Sequence, residues 1–385
     1  MSSVHIPAHV LLPLFPALVA ALSCGGPSDS EADASGATTG PTAGSEDDAE
    51  DHAEDSATTP GDDTSAGGGA DTVGGEDSED TSGDTSDTAA SATATGGDVP
   101  PTTDVRNYIF GHSLILHSDA ANVPIWMQAL AEHEGYTYAM SGQYGFADTH
   151  ATELPPDPQW GIQGVASPWD ADTGESFSDI DFNTVLLTEA NFRQYYPPTE
   201  SDPDGFLPES TVDSTTAVFD WVADAEPGVR YVLYENWPDM GGYTDADFRA
   251  SFPTADEMST YHAYTSGEFH AWWAAYQDAM LAARPELNVR MLPVGPILAQ
   301  LQTTVLADVP VEALYEDSAP HGQPTLYFLA GLVTYMGIYA APAPADYVVP
   351  ESVHPLVREL YPEIVDVIWS ELQAFEDADG DSRVF

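Results

Sequence analysis

The sequence predicts an α/β domain of three layers, α/β/α, built on a mostly parallel sheet. Three observations carry that reading. Short apolar runs bounded by turn residues recur from residue 105 onward. Helical periodicities stand between them, and all eight tryptophans fall in this part of the chain. Strands that alternate with helices form βαβ units, whose parallel strands are covered on both faces and so read as unbroken apolar stretches.

In chain order, residues 107–110 form the first strand, and 124–134 a helix with Ile125, Met127, Leu130 and Ala131 on one face. Residues 137–140 are the next strand, leading into Ser141-Gly142-Gln143-Tyr144-Gly145. The stretch 146–180 is rich in Pro, Trp, Asp and His without a period, and a loop of that length reads as substrate-facing. Trp160, Trp169, Tyr195 and Tyr196 are candidates to stack on a sugar or cover an acyl chain, or simply to pin that loop. Strands follow at 184–188, 230–234 and 288–293, with helices at 211–224, 255–283, 297–306, 325–339 and 355–375. Glu235-Asn236-Trp237, at the end of one strand, either lines a cleft or packs as an ordinary loop. The Trp272–Trp273 pair reads as core.

Composition divides the chain before any motif does. Residues 25–104 are nearly all Asp, Glu, Ser, Thr, Gly and Ala, with no aromatic residue. Such a segment cannot bury enough apolar surface to offset its ordering entropy, so 24–104 reads as a disordered acidic linker. Residues 105–376 form the folded domain. The acidic end, 377–385, reads as a disordered tail, because Asp377-Ala378-Asp379-Gly380-Asp381 lacks the glutamate a calcium loop needs. A net charge of −56 without a single lysine excludes nucleic acid and anionic lipid as electrostatic partners, and fits solubility or a saline milieu.

The first 23 residues hold a short apolar run, 10–22, that ends in Ala21-Leu22-Ser23-Cys24-Gly25. The run is too brief for a membrane span. It resembles a bacterial lipoprotein signal with a lipobox, except that His5 and His9 stand where lysine or arginine is usual. That resemblance implies lipidation at Cys24, the one cysteine of the chain, and an extracytoplasmic protein on the outer membrane or cell surface of a bacterium. An ordinary secretory signal with an incidental cysteine is the alternative.

Tyr108-Ile109-Phe110-Gly111-His112-Ser113-Leu114 carries the chemistry. An apolar strand that ends in Gly-x-Ser presents a hydroxyl at the carboxyl edge of a sheet, where open α/β folds keep their sites. A serine needs a base, since its free hydroxyl is protonated at neutral pH. His321, in Glu316-Asp317-Ser318-Ala319-Pro320-His321, is the first candidate, with Asp317 or Glu316 to orient it. His354, with Glu351 three residues before it, is the second. The bland readings are that Ser113 caps the following helix and that Asn191 is a turn residue.

In these blocks the chain resembles the SGNH (GDSL-like) hydrolases over roughly 105–340. Gly111-His112-Ser113-Leu114 matches their first block with His112 in place of Asp, and His112 is placed to touch substrate. Gly145, or alternatively Gly142, stands for the oxyanion-hole glycine. Asn191, in Thr188-Glu189-Ala190-Asn191, stands for the block-three asparagine without its neighbouring Gly and Asp. Asp317 and His321 are one residue further apart than the usual Asp-x-x-His. The resemblance implies a flavodoxin-like sheet and a serine esterase without metal or cofactor. In it Ser113 is the nucleophile, His321 the base and Asp317 the acid. The Ser113 and Gly145 N–H groups and the Asn191 amide form the oxyanion hole. The substrate implied is a small or carbohydrate-borne acyl ester. An O-acyltransferase using the same serine, and a non-catalytic glycan-binding surface lipoprotein on this fold, are the alternatives.

Overall fold

The computed structural model describes residues 102–155, 160–169, 173–201 and 209–385. The leader, Cys24 and the linker up to residue 101 lie outside these residues; the linker's expected end at 104 is corrected, since Asp104 already opens the first strand, paired with Thr137.

Five strands form one parallel sheet: β1 (Asp104–Gly111), β4 (Thr137–Tyr144), β5 (Thr184–Leu187), β6 (Arg230–Tyr234) and β7 (Arg290–Leu292), in the order β4-β1-β5-β6-β7. A small antiparallel hairpin, β2 (Leu116–Ser118) and β3 (Ala121–Asn122), follows β1. Side chains alternate between the two faces as the pleat requires. Val105 and Ile109 of β1 join one core with Leu186, Val232 and Leu292. Tyr108 and Phe110 join the other with Val185, Leu187 and Leu233.

Helices α1 (Val123–Glu134), α6 (Val294–Thr303), α7 (Pro324–Tyr339) and α9 (Tyr361–Ala374) contribute to the first core. Helices α3 (Thr211–Ala225) and α5 (His270–Ala283) contribute to the second, so the sheet is the middle of three layers. The α7 sequence is apolar all round because the helix is covered all round: every residue from Thr325 to Tyr339 is buried. Gly331 is what lets α1 come that close, since a methyl there would meet the Trp126 Cβ at 2.6 Å.

Four details differ from the sequence reading, and a fifth decides between two of its alternatives. β4 runs four residues further, to Tyr144, because β1 pairs with it along its whole length. The helix expected over 255–283 is two helices, α4 (Ala255–Tyr264) and α5, joined by a π turn at Thr265–Phe269 that contains Ser266 and Gly267. The last helix breaks at Leu360 into α8 (Pro355–Glu359) and α9, where Pro362 has no N–H to continue the ladder. Residues 377–385 are ordered rather than a loose tail. Val384 is fully buried, the Arg383 carbonyl accepts the Met291 N–H at 2.8 Å, and the Arg383 guanidinium donates to Gln277 Oε1 at 2.8 Å. Trp169 is 2 % exposed in the second core, so it packs instead of facing substrate.

Candidate active site

Counted along the sheet, the five strands run in the order second, first, third, fourth, fifth. This order reverses direction between β1 and β5, and crevices at such a reversal are where open α/β sheets bind ligands. Ser113 follows β1 directly. Its turn is closed by the Ile115 N–H on the His112 carbonyl at 2.9 Å, and the β2–β3 hairpin separates it from α1. Asn122, not Ser113, caps α1, accepting the Ile125 N–H at 2.8 Å.

His321 Nε2 lies 2.9 Å from Ser113 Oγ. Its Nδ1 lies 2.7 Å from Asp317 Oδ2, and the other carboxylate oxygen accepts the N–H groups of His321 (3.0 Å) and Ala319 (2.9 Å). Burial works to raise the Asp317 pKa, but these three donors and the nearby imidazole charge outweigh it and hold the carboxyl below its ordinary range. An imidazole that donates Nδ1–H to a carboxylate keeps Nε2 free to accept the serine proton. Tyr327 on α7 fixes the Ser113 backbone, its hydroxyl donating to the Ser113 carbonyl at 2.5 Å.

The loop that carries Asp317 and His321 is tied on several sides. The Trp237 indole donates to the Pro320 carbonyl at 2.9 Å, the Met240 N–H to Ser318 O at 2.9 Å, and the Glu316 N–H to His321 O at 2.8 Å. Trp237 thus supports the site from within the core and does not line a cleft. His354 is elsewhere employed: its Nδ1 caps α8 by accepting the Leu356 N–H at 3.3 Å. Glu316, the alternative acid, pairs with His117 Nε2 at 3.2 Å, and the His117 ring lies on that of His321. Sequence reasoning missed His117 and Tyr327, and left Trp237 open between lining a cleft and packing. The only sequence signal for His117 was an imidazole four residues after Ser113.

Asn191 is 7 % exposed, and its Nδ2 has no acceptor among the described residues. No described residue accepts the Ser113 N–H either. Gly145 is different. Its N–H donates to the Gly111 carbonyl at 2.8 Å, extending the β1–β4 ladder by one rung, so it is not available to an oxyanion. Gly142 sits inside β4 opposite Ile109, where a methyl would fall 2.6 Å from the Ile109 carbonyl oxygen.

His112 does not face substrate. It is 2 % exposed, its Nε2–H donates to the Glu189 carbonyl at 3.0 Å, and its Nδ1 accepts the Leu114 N–H at 3.4 Å. Burial pushes its pKa down to about 4, so it is a neutral strut between the ends of β1 and β5. Asn236 Nδ2 reinforces the same joint, donating to Glu189 O at 2.6 Å and Thr188 Oγ1 at 3.0 Å. Glu235, wholly buried, takes the His270 imidazole at 2.9 Å on both oxygens, and burial still holds its pKa up at about 7. Around the crevice Tyr144, Phe192 and Tyr195 are exposed, and Trp160 packs edge-on to Tyr144 at 5.4 Å. The Tyr196 carbonyl accepts the Trp272 indole N–H, while Trp272 and Trp273 are core. Among the described residues, no group of three or more His, Cys, Asp or Glu side chains is arranged to hold a metal ion, and no helix is long and apolar enough to cross a membrane.

No family model and no curated protein matches the chain. One solved structure does, described as "a putative SGNH hydrolase" from Slackia heliotrinireducens. It is 15% identical, with a TM-score of 0.33, and the match covers 60% of this chain and 97% of that one.

Proposed function

We propose that the protein is a serine esterase that hydrolyses an acyl ester through an acyl-serine intermediate. The observation that carries this reading is the continuous chain from Ser113 Oγ through His321 to Asp317, at the switch point of the sheet. His321 Nε2 takes the hydroxyl proton as Ser113 Oγ attacks the ester carbonyl carbon. Asp317 stabilises the imidazolium through Nδ1–H. The oxyanion is received by the Ser113 N–H and Asn191 Nδ2, the two donors left unspent. As the intermediate collapses, His321 returns its proton to the leaving alkoxide and the alcohol departs. Water then enters and gives a proton to the same nitrogen. Its hydroxide adds to the acyl carbon, and collapse releases the acid and restores the Ser113 hydroxyl.

The test is hydrolysis of p-nitrophenyl acetate and butyrate, with labelling by an active-site fluorophosphonate. Turnover is expected in the wild type and abolished in Ser113→Ala and His321→Ala, with Ser113 as the labelled residue. A folded wild type that neither turns over nor labels would overturn the esterase and favour a glycan-binding protein on this fold. Acyl transfer to an added sugar in preference to water would make the enzyme an O-acyltransferase. The reading extends to the leader: Cys24 would carry a lipid anchor outside the cytoplasm. Membrane association lost in Cys24→Ala supports the anchor; retention in the membrane fraction would sink it.

A further inference from the structure

The triad has a second acid–imidazole pair beside it. His117, on β2, holds Glu316 through Nε2 at 3.2 Å. Its ring lies flat on that of His321, with centroids 4.1 Å apart and planes 13° from parallel. The two acids are consecutive in the chain, and each takes one of two stacked imidazoles that come from opposite ends of the fold. We propose that His117, clamped by Glu316, is a positioning residue for His321: its ring holds the base plane so that Nε2 stays aimed at Ser113 Oγ through both halves of the reaction. This inference rests on the esterase reading of the same site.

The need for such a clamp follows from the chemistry. In the resting state His321 is held at both nitrogens. Once Ser113 is acylated the bond to its hydroxyl is gone, and Asp317 alone restrains the ring. Rotation of the imidazole about its Cβ–Cγ bond would then carry Nε2 away from the incoming water. A flat neighbour at van der Waals distance blocks that rotation, because tilting drives the ring edge into the His117 face. Misplacing a reacting group by about 1 Å can cost on the order of 100-fold in rate.

Charge does not spoil the arrangement. The charged groups facing His117 are Glu316, Asp317 and His321. Burial first, and then the charge on His321, hold the His117 pKa below its ordinary value against the pull of the two acids. Both effects work against a charge on His117 when His321 carries the proton.

The experiment uses the full chain with His117→Ala and His117→Phe, the second of which keeps a flat ring. His117→Ala is expected to lower kcat for p-nitrophenyl acetate by about 10- to 100-fold with KM little changed, and His117→Phe to recover most of that loss. A readout that needs no substrate accompanies it: the NMR signal of the His321 Nδ1 proton, expected sharp in the wild type and His117→Phe and broadened in His117→Ala. Wild-type kcat and a sharp signal in His117→Ala would overturn the clamp. So would a His117→Phe variant as impaired as His117→Ala. If the wild type shows neither turnover nor fluorophosphonate labelling, the esterase reading falls by itself, and the proton signal still decides whether His117 holds the ring.

Discussion

A buried amide with nothing to bond is expensive, and Asn191 Nδ2 has no partner among the described residues. Leaving such a donor unpaired costs roughly 1–3 kcal/mol, so it persists where something else uses it. Asn191→Ala is therefore expected to lower kcat for a p-nitrophenyl ester by about 10²–10³-fold with a smaller change in KM. A variant with wild-type kcat would remove Asn191 from the oxyanion hole. Asp317→Asn leaves the geometry but no longer favours the productive tautomer, and is expected to cost about 10³–10⁴-fold in kcat without loss of folding. Equal activity in the two proteins would argue that Asp317 does not orient the base. At this scale the local motifs were readable: a Gly-x-Ser after an apolar strand, and an acid and a histidine before a helix. Gly145 was misjudged because the extra rung to Gly111 depends on strand register, which spacing alone does not reveal. His117 and Tyr327 were invisible, since each meets the site only through a tertiary contact.

The elements hold the site by a few specific fastenings. Trp237, just past β6, reaches under the loop of residues 316–321 and bonds the Pro320 carbonyl. Trp237→Phe keeps most of the packing and removes that one bond, worth about 0.5–1.5 kcal/mol. It is expected to lower kcat/KM about tenfold while thermal stability falls only slightly; unchanged kinetics would mean the loop is held well enough without it. Gly331 tests the packing of α7 on α1. Gly331→Ala inserts a methyl against Trp126 and is expected to destabilise by about 1–3 kcal/mol in urea unfolding. A neutral or stabilising result would show that the two helices have room to part. The chain order of the five parallel strands and the long helices was legible because each of those strands holds a short apolar run and the long helices, α7 apart, show their period. What escaped were interruptions. The π turn at Thr265–Phe269 changes the phase of one helix without changing its composition, and ordering of 377–385 depends on Arg383 finding Gln277 on α5 and Met291 on β7, and on the Val384 carbonyl finding Arg230 on β6.

For the whole molecule, two wholly buried glutamates make stability depend on pH in an unusual direction for so acidic a chain. Burial raises Glu189 from 4.5 to about 7, with Arg193 at 3.5 Å offsetting only part of the shift, and Glu235 moves the same way. A carboxyl whose folded pKa is raised stabilises the fold fully below its unfolded value, and that contribution is lost as pH climbs through the folded one. Glu189→Gln, which cannot ionise, should match the wild type near pH 4 and exceed it in melting temperature at pH 8, with the gap opening between pH 4.5 and 7. A gap that stays constant with pH would show that Glu189 does not titrate in that window. The parallel, three-layered architecture was readable from composition and alternation. The sheet order that sets β1, which precedes Ser113, beside β5, which precedes Asn191, was not, because order is decided by which strands pair. His321, the base of the proposed reaction, stands 208 residues after Ser113. A ribosome therefore releases the serine long before it makes the histidine, and a half-made chain carries an inert hydroxyl. In the proposed reaction, chemical competence arrives only when the last third of the domain closes onto the first, so turnover would report on complete folding, and contacts of such long reach slow that closure.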